Sequence, residues 1–377
     1  MTWLRYYYQA AIQAMAIIAL FLGGLALWLI PAAVFALNGV ADEVVPNYDG
    51  VDRTMPFEDG PLYLSSALIV VVLVLWVGMV ALSFGTLATS AAFLAGFVEA
   101  QPYWALIGGA FGVGMLIAAV ANVAHEFCHR LDRPFHRFLG QLFFAPALHP
   151  SLPIEHVFGH HRNVGTHEDP ATARRGEGFW RYFVRSVSGT FINAHRFERR
   201  RLRKEGPLGR VIFNRTFQGY GVLTGWMLAA FALGGLPGLL AFLIVAAIGL
   251  VIVELFQYIS HYGLVRVPGT PVRADHSWEW SRAATSSFML NLPRHCAHHL
   301  NGTKSYWALN VTAQAPTYPL GPNLMAFAAL LPPLFHHLAR SSLEDWDRRF
   351  ATAAERAYAT GGLQPTLPTG GHVESRS

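Results

Sequence analysis

Histidine placement is the feature of this chain with the clearest chemical meaning. Nine of its 17 histidines fall in three short clusters and one isolated position. They are His125 and His129 in the string HEFCH, His156, His160 and His161 in HVFGHH, His261 in QYISHYGL, and His295, His298 and His299 in HCAHH. Imidazole is the commonest side-chain metal ligand, and it binds as the neutral base. Because one tetrahedral zinc ion takes four ligands at most, the set predicts two metal ions held almost entirely by nitrogen.

The spacing inside the clusters suits helices. Side chains at positions i and i+4 lie on one helix face, about 5–6 Å apart at Cβ, and are close enough to share an ion. His125 and His129 have this spacing, and so do His156 and His160. Nitrogen-only sites suit iron, copper or zinc. Two such sites without bridging carboxylates favour oxygen activation by iron over hydrolysis.

Two carboxylates near the second cluster are candidates for positioning its imidazoles. Glu155 directly precedes His156, and Asp169 follows in the same stretch of chain. A carboxylate beside a metal-bound imidazole commonly accepts its outer N–H and fixes its tautomer. We expect this role for both residues, with an ion pair to a nearby arginine as the alternative for each.

The other eight histidines lack this pattern. Two of them, His167 and His276, lie close in sequence to cluster residues, and their roles stay open. For the remaining six we expect surface or interfacial positions. The six are His136, His149, His195, His336, His337 and His372.

The string HEFCH also matches H-E-x-x-H, the zinc-protease motif in which the glutamate is the general base. That interpretation leaves the other clustered histidines unexplained. An intramembrane protease also needs an aspartate from a later helix, and the only Asp-Gly pairs, at Asp49 and Asp59, come earlier. A zinc protease therefore remains a remote alternative. So does a metal-binding or metal-transporting protein without turnover, which would carry histidines on both sides of a membrane.

The composition indicates a membrane protein. Hydrophobic residues make up 53% of the chain and charged residues 14%, against about 25% charged in a typical soluble domain. No charge occurs from Tyr6 to Ala41 or from Leu62 to Val98, and each run exceeds the roughly 20 apolar residues that cross a bilayer. Further apolar runs cover about 103–124, 216–236 and 238–262. The predicted fold class is all-α, a polytopic bundle of about six transmembrane helices.

Charge sets the predicted orientation. Of the 28 basic residues, 15 lie between Arg130 and Arg210, and arginine-rich loops stay in the cytoplasm. The segments 130–210 and 263–320 are therefore predicted to face the cytoplasm, and so is the histidine site. The expected location is the inner membrane of a bacterium. The basic run fits a topology signal beside anionic lipid and also a docking face for an acidic redox partner.

Whether the number of membrane crossings is odd or even leaves one feature of the topology open. If the N-terminus is also inside, an odd number of crossings must precede Gln101, so one uncharged run is a hairpin. Breaks at Gly23-Gly24 or Pro31 would fold the first run, and a break at Ser83-Phe-Gly85 would fold the second. The residues alone do not choose between them. A turn at Gly234-Gly-Leu-Pro-Gly238 joins the last two predicted spans.

We predict a single domain over residues 1–340 and a disordered tail over 360–377, which contains TGGLQPTLPTGG. The two cysteines, Cys128 and Cys296, form no C-x-x-C motif. We therefore expect no fused iron–sulfur or rubredoxin-type domain.

Four strings resemble those of the integral-membrane alkane hydroxylase (alkane 1-monooxygenase) family, within the fatty acid desaturase/hydroxylase superfamily. They are AHEFCHR at 124–130, EHVFGHHRNVGTHEDPATAR at 155–174, QYISHYGLVR at 257–266 and NLPRHCAHHLNGTKSYWAL at 291–309. Their spacing is similar to the family's over roughly residues 101–340. His167, Ser260 and Pro293 stand where the family usually has other residues.

The resemblance implies two irons bound by the nine clustered histidines, dioxygen activation and hydroxylation of the terminal carbon of a medium-chain alkane. It also implies electrons from a separate rubredoxin and its reductase. The expected surroundings are a hydrophobic substrate and the lipid bilayer, with no nucleic acid. A fatty acid desaturase and a hydroxylase of aromatic methyl groups or terpenes share the same iron site and remain alternatives.

An alkane has no polar group to bind, so the shape of a channel must select the carbon that reacts. A slot between spans lined by Trp76, Trp104 or Trp226 is a candidate for this channel. Aromatic packing or interfacial anchoring is the alternative use of each tryptophan.

Overall fold

The computed structural model describes residues 2–52 and 54–359, and over these residues the chain is helical without strands. The predicted all-α class is thus confirmed, while the predicted disordered tail and His372 lie outside the described residues. Two π-helical segments cover Phe35–Val40 and His156–His160. The helices are α1 (Tyr8–Leu22), α2 (Ala26–Val34), α3 (Ala41–Val44), α4 (Gly60–Ser83), α5 (Tyr103–Cys128), α6 (Pro134–Phe144), α7 (Leu152–Glu155), α8 (His161–Asn163), α9 (Phe179–Arg201), α10 (Pro207–Ile212), α11 (Arg215–His261), α12 (Ala283–Phe288), α13 (His295–Leu300), α14 (Pro322–Ala329), α15 (Pro332–Arg349) and α16 (Ala353–Ala359).

The first uncharged run forms the hairpin that the sequence left unassigned. Gly23 and Gly24 take φ values of 64° and 55°, a region that residues with a Cβ rarely adopt, and the chain reverses between α1 and α2. Gln101 fills the turn, because its side-chain oxygen accepts the Gly24 N–H at 2.7 Å. The second uncharged run continues through α4 without a break as far as Ser83.

This hairpin places the acidic loop that precedes α4 at the end of the bundle that carries the histidine clusters. Arg5, before α1, pairs with Asp52 at 3.0 Å. Arg130, just after α5, pairs with Glu58 at 3.0 Å and also contacts Asp59. The N-terminal segment, the acidic loop and the end of α5 therefore lie on one side of the bundle.

Within residues 2–52 and 54–359, four helices are long and apolar enough to cross a membrane by length and composition. They are Ala26–Val44, Gly60–Ser83, Tyr103–Cys128 and Arg215–His261. The helix Arg215–His261 consists of two helical arms, because Gly234 (φ −140°) and Gly235 (φ 61°) leave the helical conformation between them. This confirms the predicted turn. The helix α1 has only 15 residues, and the total of six spans stays a prediction.

Helix α5 lies at the centre of the bundle, against α2, α4 and α11. Glycines on its surface permit close approach: Gly112 lies against Ile30 of α2 and Gly114 against Ile248 of α11, where an added Cβ would fall within 2.6 Å of the neighbouring side chain. Small residues let membrane helices pack backbone to backbone in this way. The C-terminal ends of α5 and α11, both of which carry histidines, are thereby fixed side by side.

The C-terminal helices pack on the segments between the histidine clusters. Arg175 donates to both carboxylate oxygens of Asp347, at 2.9 and 2.7 Å. The indole N–H of Trp346 donates to the backbone carbonyl of Asp275 at 2.6 Å. The packed unit therefore continues beyond residue 340, where the predicted domain ends.

Candidate metal centre

All nine clustered histidines meet at one end of the bundle, where they form two groups. Within each group the candidate ligand atoms lie within 4.8 Å of one another, and every residue except His161 is buried. The five-histidine group holds His125, His129, His156, His161 and His298, and the four-histidine group holds His160, His261, His295 and His299.

In the five-histidine group the ring nitrogens Nε2 converge on one point. The Nε2 atom of His156 lies 2.8 Å from that of His125, 3.1 Å from that of His129 and 3.1 Å from that of His161. The Nε2 atoms of His298 and His161 are 3.0 Å apart.

The four-histidine group repeats this geometry. The Nε2 atom of His295 lies 2.9 Å from that of His261 and 3.1 Å from that of His299. Two adjacent donors on one ion with metal–nitrogen distances of about 2.1 Å lie roughly 3 Å apart. Both donor sets therefore fit one metal ion each.

A π-helical turn decides how the second cluster is divided. On an α-helix the i, i+4 spacing would bring His156 and His160 close enough to share an ion, although the sequence does not assign each histidine to an ion. The segment His156–His160 is instead a π-helix, whose hydrogen bonds run from i to i+5. His156 therefore shares its group with His161, and His160 joins the other group.

Burial keeps most of the imidazoles neutral. Burial, and then the neighbouring imidazoles, lower the pKa of His156, His295 and His298 well below the ordinary value. For His160 burial also acts to lower the pKa, but the carboxylates of Asp169, Glu155 and Glu254 together outweigh it and raise the pKa. Neutral imidazole is the form that binds metal, so the side chains of His156, His295 and His298 are ready for a cation at neutral pH.

The two predicted carboxylates differ in their contacts. Asp169 Oδ2 lies 2.8 Å from His160 Nδ1 and also accepts from the Thr172 hydroxyl at 2.6 Å. The imidazole of His160 thus donates its Nδ1 proton to Asp169 and directs Nε2 toward the other histidines of the four-histidine group. Glu155 lies 3.4 Å from the Asn193 amide, and none of its hydrogen bonds in the described chain goes to a cluster imidazole.

Sequence reasoning missed two buried histidine–carboxylate pairs. His149 lies 2.7 Å from Glu254, and His276 lies 2.8 Å from Glu355. A surface or interfacial position was expected for His149 and His136, but both side chains are buried in the protein. The sequence feature that could have identified Glu254 is its position on α11, two turns before His261 and on the same helix face.

An apolar cavity ends at both histidine groups. His125 and His156 of the five-histidine group line it, together with His160, His261 and His295 of the four-histidine group. The remaining lining comes mainly from aliphatic and aromatic side chains of α2, α5, α11, α12 and α14. The cavity can therefore bring a hydrocarbon to both candidate metal positions.

The tryptophans predicted to line this space do not do so. The indole of Trp76 donates to the Ala241 carbonyl at 3.2 Å, that of Trp226 donates to the Leu142 carbonyl at 3.1 Å, and Trp104 is 47% exposed. These contacts stabilise helix packing instead. The aromatic residues at the cavity are Phe35, Phe144, Phe256, Trp280, Phe288 and Phe327.

The geometry also argues against the zinc protease. A general base must reach the water at the metal, but Glu126 forms an ion pair with Arg130 at 3.3 Å. Arg130 in turn binds two further carboxylates of the acidic loop. Both histidine groups lie at one end of the bundle, which does not match the two-sided pathway of a transporter.

The fold and the centre together define a membrane-bound protein with two histidine groups that could each hold a metal, beside an apolar cavity. The sequence profile of the fatty acid desaturase family matches residues 101–319, which is more than half of the chain. The chain belongs to the alkane hydroxylase family within this desaturase/hydroxylase superfamily.

Individual relatives cover different shares of the chain. It is 33% identical to an alkane 1-monooxygenase of Acinetobacter baylyi, over 59% of this chain and 56% of the relative. It is 31% identical to alkane 1-monooxygenase 1 of Pseudomonas aeruginosa, over 67% of each. It is 29% identical to the xylene/toluene monooxygenase hydroxylase component of Pseudomonas putida, over 94% of this chain and 93% of the relative.

Proposed function

We propose that this protein is a non-haem di-iron monooxygenase that hydroxylates the terminal carbon of medium-chain alkanes with dioxygen. The observation that carries the proposal is the apolar cavity that reaches imidazoles of both groups. One iron would be held by the five-histidine group and the other by the four-histidine group. Family membership favours iron over the zinc or copper that nitrogen donors also accept.

Bound iron would supply the activation of dioxygen: one oxygen atom would enter a C–H bond, and the other would leave as water with two electrons from a separate donor and two protons. The chain holds the reactants in place and keeps water out. Neutral imidazoles add no negative charge to the metal pair, and the apolar wall excludes competing water. Since an alkane offers no polar group, the wall also has to set which carbon lies at the histidines.

Two residues that depart from the family's pattern help to form this wall. Ser260 and Pro293 both line the cavity, each directly before or close to a candidate ligand. We propose that they contribute to the substrate range of this chain.

A second candidate function is hydroxylation of methyl groups on aromatic rings. The xylene/toluene monooxygenase component matches this chain over almost its whole length, whereas the first alkane 1-monooxygenase is matched over little more than half of its own. The aromatic side chains around the cavity would also suit a flat ring.

We further propose that rubredoxin and its reductase, as separate chains, deliver the electrons. The sequence has two cysteines, both buried, and no C-x-x-C motif that could hold a redox iron of its own. We place the centre on the cytoplasmic face of a bacterial inner membrane, because the basic segment beside it favours that side.

Whole cells that co-express the protein with rubredoxin and its reductase test the proposal. Fed an equimolar panel of alkanes and methylbenzenes, they should form 1-alkanols. Benzylic alcohols without alkanols would select the second candidate, and alkenes would indicate a desaturase. A His298→Ala variant is the matched negative control. If the unchanged protein forms no oxidised product from any hydrophobe, the monooxygenase proposal fails.

A further inference from the structure

The C-terminal helix α16 reaches the four-histidine group through a histidine that is not in either group. His276 is fully buried, and its Nε2 lies 2.8 Å from Glu355 Oε1. The backbone N–H of Arg273 donates to His276 Nδ1 at 3.0 Å. Because Nδ1 is thereby the acceptor, Nε2 carries the proton and donates to the Glu355 carboxylate.

The backbone of the same residue contacts a candidate ligand. The carbonyl oxygen of His276 lies 3.2 Å from Nδ1 of His261. An imidazole that donates from Nδ1 presents Nε2 as its free base, and Nε2 of His261 lies 2.9 Å from that of His295. The position of the His276 carbonyl therefore sets the tautomer and direction of His261.

Glu355 is held from several sides. It is 1% exposed and accepts from the Arg273 guanidinium at 2.8 Å, from the Thr352 N–H at 2.8 Å and from the Thr352 hydroxyl at 2.9 Å. Burial alone would raise the pKa of this carboxyl, but the hydrogen bonds from His276, Arg273 and Thr352 lower it far below its usual range. Hydrogen bonds from this many donors hold the buried carboxylate of Glu355 in one position.

We infer that Glu355 is a positioning residue for the metal of the four-histidine group, acting through His276 on His261. The matched desaturase region ends at residue 319, so this support comes from a part of the chain outside it. Trp346 strengthens the same contact, because its indole N–H binds the carbonyl of Asp275, the residue before His276. The inference rests on the proposed function only in requiring a divalent metal at each group.

Cobalt(II) binding to the purified full-length protein tests this inference without relying on turnover. The unchanged protein should bind about two cobalt ions per chain. Outer partners of ligating histidines are typically worth about 10–100-fold in metal affinity. Glu355 supports such a partner, so Glu355→Ala should weaken one of the two sites by up to this factor and leave the other unchanged. The matched control is Asp345→Asn, which removes a carboxylate of the neighbouring helix that pairs with Arg348 and Arg349.

Double variants identify the affected site. Combined with His261→Ala, Glu355→Ala should cause no further loss, because both act on one metal; combined with His298→Ala, the losses should add. Equal weakening of both sites, or no weakening, would overturn the inference. If Glu355→Ala does not fold, Glu355→Gln decides in the same way, since an amide cannot accept from all of these donors.

The same samples separate this inference from the proposed function. Two cobalt sites with the expected asymmetry, in a protein that never oxidises a hydrophobe when loaded with iron, would support the positioning role and contradict the monooxygenase. A protein that binds no metal at either group would contradict both.

Discussion

At the scale of single residues, the outer nitrogen distinguishes the candidate ligands from one another. His160 donates its Nδ1 proton to the Asp169 carboxylate, whereas His261 donates to a backbone carbonyl. An imidazole that donates its outer N–H to a carboxylate is a stronger metal ligand than one that donates to a neutral carbonyl. The four-histidine group therefore contains ligands of unequal strength, although every donor atom is the same kind of nitrogen.

Single ligand substitutions should remove one metal at a time. His298→Ala takes a donor from the five-histidine group and His261→Ala takes one from the four-histidine group. We expect iron content to fall from about two to about one per chain in each, measured by elemental analysis of purified protein. His195→Ala is the control, because that side chain belongs to neither histidine group and its Nδ1 binds the Phe191 carbonyl of its own helix. Loss of both metals from either variant would contradict two separate groups.

The stability contributed by Glu355 should depend on pH. Since its pKa is lowered in the fold, the ionised carboxylate stabilises the protein above its ordinary pKa of about 4.5 and loses this effect as the pH falls below it. At pH 7 we expect Glu355→Gln to lower the free energy of unfolding by about 2–3 kcal/mol. Denaturant titration in detergent at pH 7 and pH 4 measures the difference, which should shrink at pH 4. A constant difference would contradict an ionised Glu355.

At the scale of elements, the sequence predicted the long apolar helices near 103–124, 216–236 and 238–262, because apolar runs and glycine breaks are local signals. The turn at Gly234-Gly235 is an example. The hairpin at Gly23-Gly24 could not be chosen over a break after Ser83, since the choice depends on the contact with Gln101, far along the chain. Long-range contacts of this kind have no local signature.

The centre shows the same division. The nine residues were predicted from type and spacing, but their division into five and four was not, because a single π-helical turn exchanges His160 for His161. The cavity was predicted with the wrong tryptophans. Its actual aromatic lining includes Phe288 and Phe327, from short helices that lack any membrane-length apolar run.

The exposed end of the cavity should limit the length of substrate. Phe35 and Phe327 pack edge to face with ring centroids 5.2 Å apart, line the cavity and are 40% and 38% exposed. Removing either ring extends the apolar space, and each additional buried methylene is worth about 0.8 kcal/mol, or roughly four-fold in rate or affinity. We expect Phe327→Ala to shift product ratios toward longer substrates, measured by gas chromatography of competing pairs. Phe93→Ala, exposed and away from the cavity, should leave the ratio unchanged. An unchanged ratio in Phe327→Ala would place the limit elsewhere.

At the scale of the whole molecule, segments far apart in sequence close the bundle over the centre. Arg294, which directly precedes His295, is fully buried and donates to the carbonyls of Tyr48, Gly50 and Leu309. Segments from both termini take part in this closure, since Glu355 supports His276 from the other side. The two histidine groups thus lie under a layer of protein at the end of the bundle and beside the apolar cavity.

The orientation of this layer can be measured by cysteine labelling in bacterial spheroplasts. The native Cys128 and Cys296 are buried, so a cysteine introduced at an exposed position is a selective probe. Glu99 is exposed just before α5 begins, and Glu205 is exposed after α9, on the side of the histidine groups. Because arginine-rich segments stay inside, an impermeant maleimide should label Glu99→Cys in intact spheroplasts and label Glu205→Cys only after permeabilisation. The reverse pattern would place both histidine groups outside the cytoplasm, out of reach of a cytoplasmic electron donor.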